Sequence, residues 1–321
     1  MINLDLKDRK ILFELEFNAR QSDTQLAKKV GLKREVVAYR LKRLEQKNVI
    51  LKYHAIVNSM NLGQMMYRTY FKLQKTNPDK EREINQYLLG KFNWVTKVRG
   101  PWDIATMTFV SNNYEFDELL KEVLSIYGEF IADYWFAIMT KLHHCKRNYL
   151  LNTEDYTDVI LQKTDQQIDL DELDFKLLTY LAKFGRERYL EIARKFNVNE
   201  KLIRDRVKRL IHNKIILGFT TLLNIPLLGR KYYKLHFTLN DKSREIIKKM
   251  IADGIAQQNV IYIDEGTGCA DVELELQVPS TTELYSTIDN FRGKFKEAIR
   301  DYVFMEYTEE YKFEYLPNLR L

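Results

Sequence analysis

The chain has 321 residues, beyond the size at which one hydrophobic core usually keeps growing, so more than one domain is expected. A composition of 45% hydrophobic and 30% charged residues with 12 Gly and 5 Pro excludes disordered, collagen-like and low-complexity chains, and two cysteines, Cys145 and Cys269, exclude a disulfide framework or thiolate zinc cage. The net charge of +6 argues for no partner by itself, and no run approaches the roughly 20 apolar residues that span a bilayer, so a cytoplasmic protein away from membranes is expected.

The first 58 residues have helical spacing. Ile11, Leu12 and Leu15 form one apolar stripe, Leu26, Ala27 and Val30 a second, and Val37, Leu41 and Leu44 a third, which predicts three short helices. Ser22 with Gln25 is a capping-box pattern, and Gly31 stands where the second helix should stop. ILKYHAIVN from Ile50 reads as a short strand or wing. Residues 59–150 then alternate strand and helix, with a helical stripe at Phe116, Leu119, Leu120, Val123 and Tyr127 and a hairpin at Gly100. The order strand, helix, strand, hairpin, strand, helix, strand is ferredoxin-like βαββαβ. Residues 151–167 are polar, without a sustained period, and read as a linker.

After the linker the sequence starts again. At an offset of 166 residues LDLKDRKILFEL from Leu4 lies over LDELDFKLLTYL from Leu170, and the match runs ungapped to Leu73 over Leu239. An offset of 168 then aligns GPWDI from Gly100 with GCADV from Gly268, and DYWF from Asp133 with DYVF from Asp301. The expected fold class is therefore α+β, two copies of a winged helix-turn-helix followed by a ferredoxin-like module. The second head covers 168–224 and the second module 225–321.

Charge is uneven across this plan. Residues 1–58 carry +6 and 168–224 carry +4, leaving −4 for the rest. A cationic helix-turn-helix can set its second helix in the major groove of double-stranded DNA, where phosphate neutralisation releases counterions. With Val37, Leu41 and Leu44 buried, the opposite arc carries Glu35, Ala38, Tyr39, Lys42 and Arg43, with Arg34 at the helix start. In the second copy it carries Lys201, Arg204, Asp205, Lys208 and Arg209. Lys42, Arg43, Lys208 and Arg209 are common to both copies and are expected on phosphates, whereas the fronts differ, so two unlike half-sites are expected. Arg40 and Arg206 lie near the buried edge and suit an internal salt bridge as well as a phosphate contact.

LDLKDRKILFEL, the helix pair QLAKKVGLKREVVAYRLKRLEQKNVI, the wing ending at Asn58, Leu62-Gly63 and the GPWD turn together resemble the Lrp/AsnC family of bacterial and archaeal transcription regulators. The resemblance covers nearly all of both copies. It implies a DNA-binding head on a ferredoxin-like effector module, with modules pairing sheet to sheet and an amino-acid effector bound between them near the turn. Here that turn is Gly100 with Asp103 and Gly268 with Asp271. Two paired copies make an intramolecular pseudo-dimer, with further homo-oligomerisation through free sheet edges. On this reading an effector acts by changing head spacing.

The chain departs from the family in two places. The family places a small hydroxylated residue at the start of the recognition helix, where Lys33 and Asn199 stand, and only Asn199 can cap. The sheet face Ala105, Met107, Phe109 of copy one becomes Glu273, Glu275, Gln277 in copy two. Burying unpaired carboxylates costs several kcal/mol, so either cations face the glutamates or that face stays wet. His143, His144 and Cys145 lack a second ligand cluster and read as a surface or strand-end group, so no metal and no cofactor are expected. With no nucleotide loop or nucleophile elbow, the expectation is a regulator rather than an enzyme. The competing readings are an enzyme of the siroheme decarboxylase kind, which joins the same modules, and a protein-binding adaptor.

Overall fold

The computed structural model describes residues 2–164, 169–268 and 270–316, apart from the Lys312 side chain. Cys269 and residues 165–168, which hold the end of the expected linker and the first residue of the second head, lie outside the described residues.

The first head comprises α1 (Leu6–Glu14), α2 (Asp23–Val30) and α3 (Arg34–Gln46), followed by β1 (Ile50–Val57). Ser22 and Gln25 form the capping box of α2, and Gly31 ends it at φ 64°, in the left-handed region that glycine adopts at no steric cost. The first module runs β2 (Met65–Leu73), α4 (Pro78–Lys91), β3 (Trp94–Arg99), β4 (Ile104–Val110), α5 (Asn113–Tyr127) and β5 (Ile131–Cys145). The expected linker contains a strand, β6 (Asp158–Gln162), which pairs with the end of β5 and buries Leu161 completely. That single apolar anchor is too short a signal for periodicity to detect. The second copy repeats the plan as α6 (Glu172–Leu181), α7 (Tyr189–Phe196), α8 (Glu200–His212), β7 (Ile216–Leu223), β8 (Lys231–Leu239), α9 (Arg244–Ala256), β9 (Val260–Thr267), β10 (Val272–Val278), α10 (Thr281–Lys294) and β11 (Ile299–Phe313).

The modules exchange strands. β5 and β11 are each 15 residues long. The first half of β5 pairs with β2 of its own copy and the second half with β9 of the other; β11 likewise pairs with β8 and then with β3. The sheet therefore runs β2-β4-β3-β11-β8-β10-β9-β5 and closes through β2–β5, with β6 added at β5. Closure uses the strand edges that were expected to be free for self-association. Strand alternation then sorts the side chains. Tyr67, Phe71 and Ile104 pack outward under α4 and α5, and Leu235, Phe237 and Leu274 pack under α9 and α10. The opposite faces of the two modules' strands meet inside the ring.

The heads are joined as well. β1 and β7, each expected as the wing of its own head, pair antiparallel with one another. Arg20 donates to the carbonyls of Gly185 and Glu187 at 2.7 and 2.8 Å, while Arg186, its equivalent at the repeat offset, donates to Ala19 O at 2.8 Å and Asp23 Oδ1 at 2.7 Å. Each arginine ties its own head to the other. No helix among the described residues is long and apolar enough to cross a membrane.

Candidate nucleic-acid interface and central cavity

α3 and α8 each bury one line of side chains, Val37, Leu41 and Leu44 in the first and Ile203, Val207 and Leu210 in the second. Arg34, Glu35, Ala38, Tyr39 and Lys42 of the expected arc are exposed, as are Lys201, Arg204, Asp205, Lys208 and Arg209. Tyr39 is 67% exposed, an unusual setting for a large aromatic ring. Lys33 makes no side-chain cap, whereas Asn199 Oδ1 accepts from Lys201 N at 2.7 Å.

Two cations expected on phosphates are held by carboxylates of their own head. Arg43 pairs with Asp8 at 2.5 Å, and Arg40 bridges Asp5 and Asp8 at 2.7 and 2.8 Å. In the second copy Arg209 pairs with Asp174, and Arg206 with Asp171 and Asp174. Asp8 and Asp174 are almost fully buried first-helix carboxylates, and a buried carboxylate left without a counter-charge is strongly destabilising. The internal demand takes two of the three arginines of each helix, which leaves Lys42 and Lys208 as the unclaimed rear cations. Arg204 also pairs with Glu200 on its own helix while staying half exposed.

The turn residues serve the scaffold. Asp103 accepts from Leu73 N at 2.8 Å and from Lys72 Nζ at 3.2 Å; Asp271 accepts from Leu239 N at 2.8 Å and pairs with Lys242 at 3.0 Å. Gly100 has φ 145°, and a Cβ there would lie 2.9 Å from Phe304 O of the other copy's β11. Gly268 has φ 138°, and its Cβ would lie 2.7 Å from Ala137 Cα on β5. Each turn thus sits against the long strand of the opposite module, and none of the four residues faces the large cavity described below.

The glutamate face is answered by cations. Lys234, with no exposed surface, pairs with Asp264, with Glu273 at 2.8 Å and with Glu275 at 3.3 Å; Arg68 of the first copy reaches Asp264 at 3.1 Å and Glu275 at 2.9 Å. Burial alone would lower the Lys234 pKa, but the three carboxylates hold it above its usual range. Tyr232 also donates to Glu275, and Gln277 accepts from Tyr149 at 2.6 Å. Arg68 and Lys234 occupy equivalent positions in the repeat, so one residue pair neutralises the asymmetric face from both sides.

Between the wing strands and the ring lies a cavity of about 670 Å³. Leu51, His54 and residues 220–225 form one wall, Arg68, Glu275 and Met107 another, and Trp94, Tyr232, Tyr262, Tyr307, Phe313 and Tyr315 supply aromatic surface. Burial, then the nearby Lys52, pushes the His54 pKa down to about 3, so its imidazole stays neutral. Glu310 also lines this space and is solvent-exposed. Sequence reasoning missed His54 and Glu310, since nothing in their local pattern sets them apart, and missed the reciprocal Arg20 and Arg186. His143, expected at the surface or a strand end, is buried near the end of β5 between Asp158 at 2.7 Å and Glu265 at 2.9 Å. Among the described residues no group of three or more metal-ligating side chains converges.

The winged helix-turn-helix DNA-binding family matches residues 4–50 and again 170–216. An uncharacterized HTH-type transcriptional regulator of Pyrococcus horikoshii is 34% identical over 129 residues, 38% of this chain and 83% of that protein. The leucine-responsive regulatory protein of Haemophilus influenzae is 34% identical over 124 residues, 38% of this chain and 75% of that one. In structure, the siroheme decarboxylase NirDL is similar over 96% of this chain and 93% of its own, with a TM-score of 0.62 at 12% identity.

Proposed function

This chain belongs to the Lrp/AsnC family, as two copies in tandem, and from that premise we propose that it is a DNA-binding transcription regulator working beside the chromosome in the cytoplasm. The observation that carries the reading is the repeated exposed cationic face of the two recognition helices, Arg34 and Lys42 on one and Lys201, Arg204 and Lys208 on the other. Tyr39, with Glu35 and Ala38, reads bases at one half-site; Lys201, Arg204 and Asp205 read a different one. Because the heads share a sheet and two reciprocal arginines, both half-sites are engaged by one molecule at a fixed separation. Any small effector acts from the central cavity, whose walls come from the wings and the ring together.

Selection of bound duplexes from a random pool at fixed salt tests this reading. Two unlike half-sites support it, and a pool without enrichment refutes it. A second reading, tetrapyrrole chemistry, draws on the full-length fold similarity to NirDL and on the neutral His54 in the cavity wall. Against it, a polycarboxylate would meet Glu275, Glu306, Glu309 and Glu310, while Arg68 and Arg147 are already paired. A shifted absorption band on mixing with an iron tetrapyrrole, lost in His54→Ala, would favour that reading.

A further inference from the structure

The two recognition helices are backed differently. Tyr189 is the first residue of α7, and its ring carries two guanidinium groups, one from each head: Arg20 Cζ lies 4.3 Å from the ring centroid and Arg204 Cζ of α8 lies 5.3 Å from it. Arg20 Cζ is also 5.2 Å from the ring centroid of Phe219 on β7. All three contacts fall within the roughly 6 Å over which a cation is attracted to a ring face. Phe219, Arg20, Tyr189 and Arg204 thus form a continuous run from the sheet that joins the heads to the outward face of one recognition helix. The inner end is fixed, since Phe219 is buried and Arg20 is bonded to the carbonyls of Gly185 and Glu187. The outer end is Arg204, half exposed and engaged by the Glu200 carboxylate one turn earlier in the helix.

The first copy keeps the inner half of this run and lacks the outer half. At the repeat offset Tyr53 stands for Phe219 and Arg186 for Arg20, and Arg186 Cζ lies 5.4 Å from the Tyr53 ring centroid. Asp23 stands where the second copy has Tyr189 and takes Arg186 in an ion pair at 2.7 Å, while Ala38 stands where the second copy has Arg204. The tie between the heads therefore does not require a ring at this position, because the first copy makes it with a carboxylate. What the tyrosine adds is a support beneath a guanidinium on the recognition helix. A guanidinium whose plane is already stacked and paired loses less freedom on meeting a base than one moving freely in water. Its fork of donors matches the O6 and N7 acceptors that guanine presents in the major groove.

We propose that Arg204 pairs with the major-groove edge of a guanine in the half-site of the second head, and that Tyr189 is the positioning residue that holds the Arg204 guanidinium for that contact. The proposal rests on the DNA-binding reading, and one of its two measurements is made without DNA so that the two can fail separately.

The first measurement is nuclear magnetic resonance of the full chain carrying isotope-labelled arginine. The Arg204 Nε–H signal, identified by its loss in Arg204→Ala, is expected away from the position of free arginine because a ring lies beneath it. It should stay there in Tyr189→Phe and return to the free position in Tyr189→Leu, with a melting curve confirming the fold; Tyr189→Met takes the place of the leucine variant should that one fail to fold. The second measurement is selection of bound duplexes from a random pool at fixed salt with the same variants. The parent is expected to enrich a guanine at one position of one half-site, and Arg204→Ala to lose that preference by about tenfold. Tyr189→Leu should relax it a few-fold at that position only, and Tyr189→Phe should restore it, whereas a tyrosine that merely supports the fold would lower binding to every sequence alike. The positioning role is overturned if the Arg204 signal of the parent sits at the free position, if Tyr189→Leu keeps the guanine preference, or if it weakens both half-sites equally. A parent pool without enrichment overturns the DNA-binding reading and the guanine contact with it, while the Arg204 signal still decides whether Tyr189 holds that side chain.

Discussion

Replacing Lys234 by Met removes the central cation of the ring interior while keeping most of its apolar stem volume. Lys234 has no exposed surface and reaches Asp264, Glu273 and Glu275; after the change Arg68 alone faces three buried carboxylates. Removing one partner of a buried charge cluster leaves a desolvated charge uncompensated, which typically costs about 3–5 kcal/mol. Denaturant unfolding followed by circular dichroism should show a lower midpoint with an unchanged slope, because the surface exposed on unfolding is the same. Copy one supplies the rescue, since Ala105 and Met107 stand where copy two has Glu273 and Glu275. The triple change Lys234→Met, Glu273→Ala, Glu275→Met leaves Arg68 paired with Asp264 and should recover most of the loss. A single variant within about 1 kcal/mol of the parent, the worth of an ordinary exposed pair, or a triple variant no better than the single, would refute the assignment of the cluster as a compensated buried network.

Other consequences are open to measurement. Tyr39→Ala is expected to change base preference at one half-site only, whereas Lys42→Ala should weaken all sequences alike and reduce the salt slope by about one unit, read from binding isotherms at several salt concentrations. Arg20→Ala removes two hydrogen bonds to the other head and should lower stability by about 1–3 kcal/mol while raising protease sensitivity between the heads; unchanged digestion would argue against the reciprocal tie. For His143, burial alone would lower the pKa, but Asp158 and Glu265 outweigh it and raise the value to about 9. A raised folded-state pKa gives stability that is fully present below about 6.5 and lost as pH climbs through about 9, on the order of 3 kcal/mol at most. Unfolding measured from pH 6 to 10 should show that loss in the parent and its absence in His143→Gln. Gly268→Ala should disrupt the turn, because the left-handed backbone and the approach to Ala137 both exclude a Cβ.

What was legible in the sequence is what is local. The heads declare themselves through three apolar stripes, the Ser22–Gln25 capping box and Gly31, because helix periodicity and capping depend on residues a few positions apart. The doubled plan was readable because the copies still match in register. The exchanged halves of β5 and β11 were not, since either half reads as an ordinary strand and its partner is about 100 to 200 residues away in sequence. Glu273, Glu275 and Gln277 marked a face needing compensation, but Arg68 and Lys234 sit among aromatic strand residues that give no hint of which face they share. Gly100 and Gly268 were singled out correctly as turn positions, and the reason each must lack a side chain lies in the opposing module. Arg43 and Arg209 lay on the outward arc by helical geometry; only the depth of Asp8 and Asp174 shows that the first helix claims them.

The crossed long strands also order events on the ribosome. β3 finds its outer neighbour only when β11 appears, some 200 residues later. At a synthesis rate of about 5–20 residues per second that is a wait of roughly 10–40 seconds with a hydrogen-bonding edge uncovered. During that interval an identical nascent chain offers the same complement, so neighbouring ribosomes risk closing the ring with the wrong partner, and fast elongation on well-spaced ribosomes favours closure within one chain.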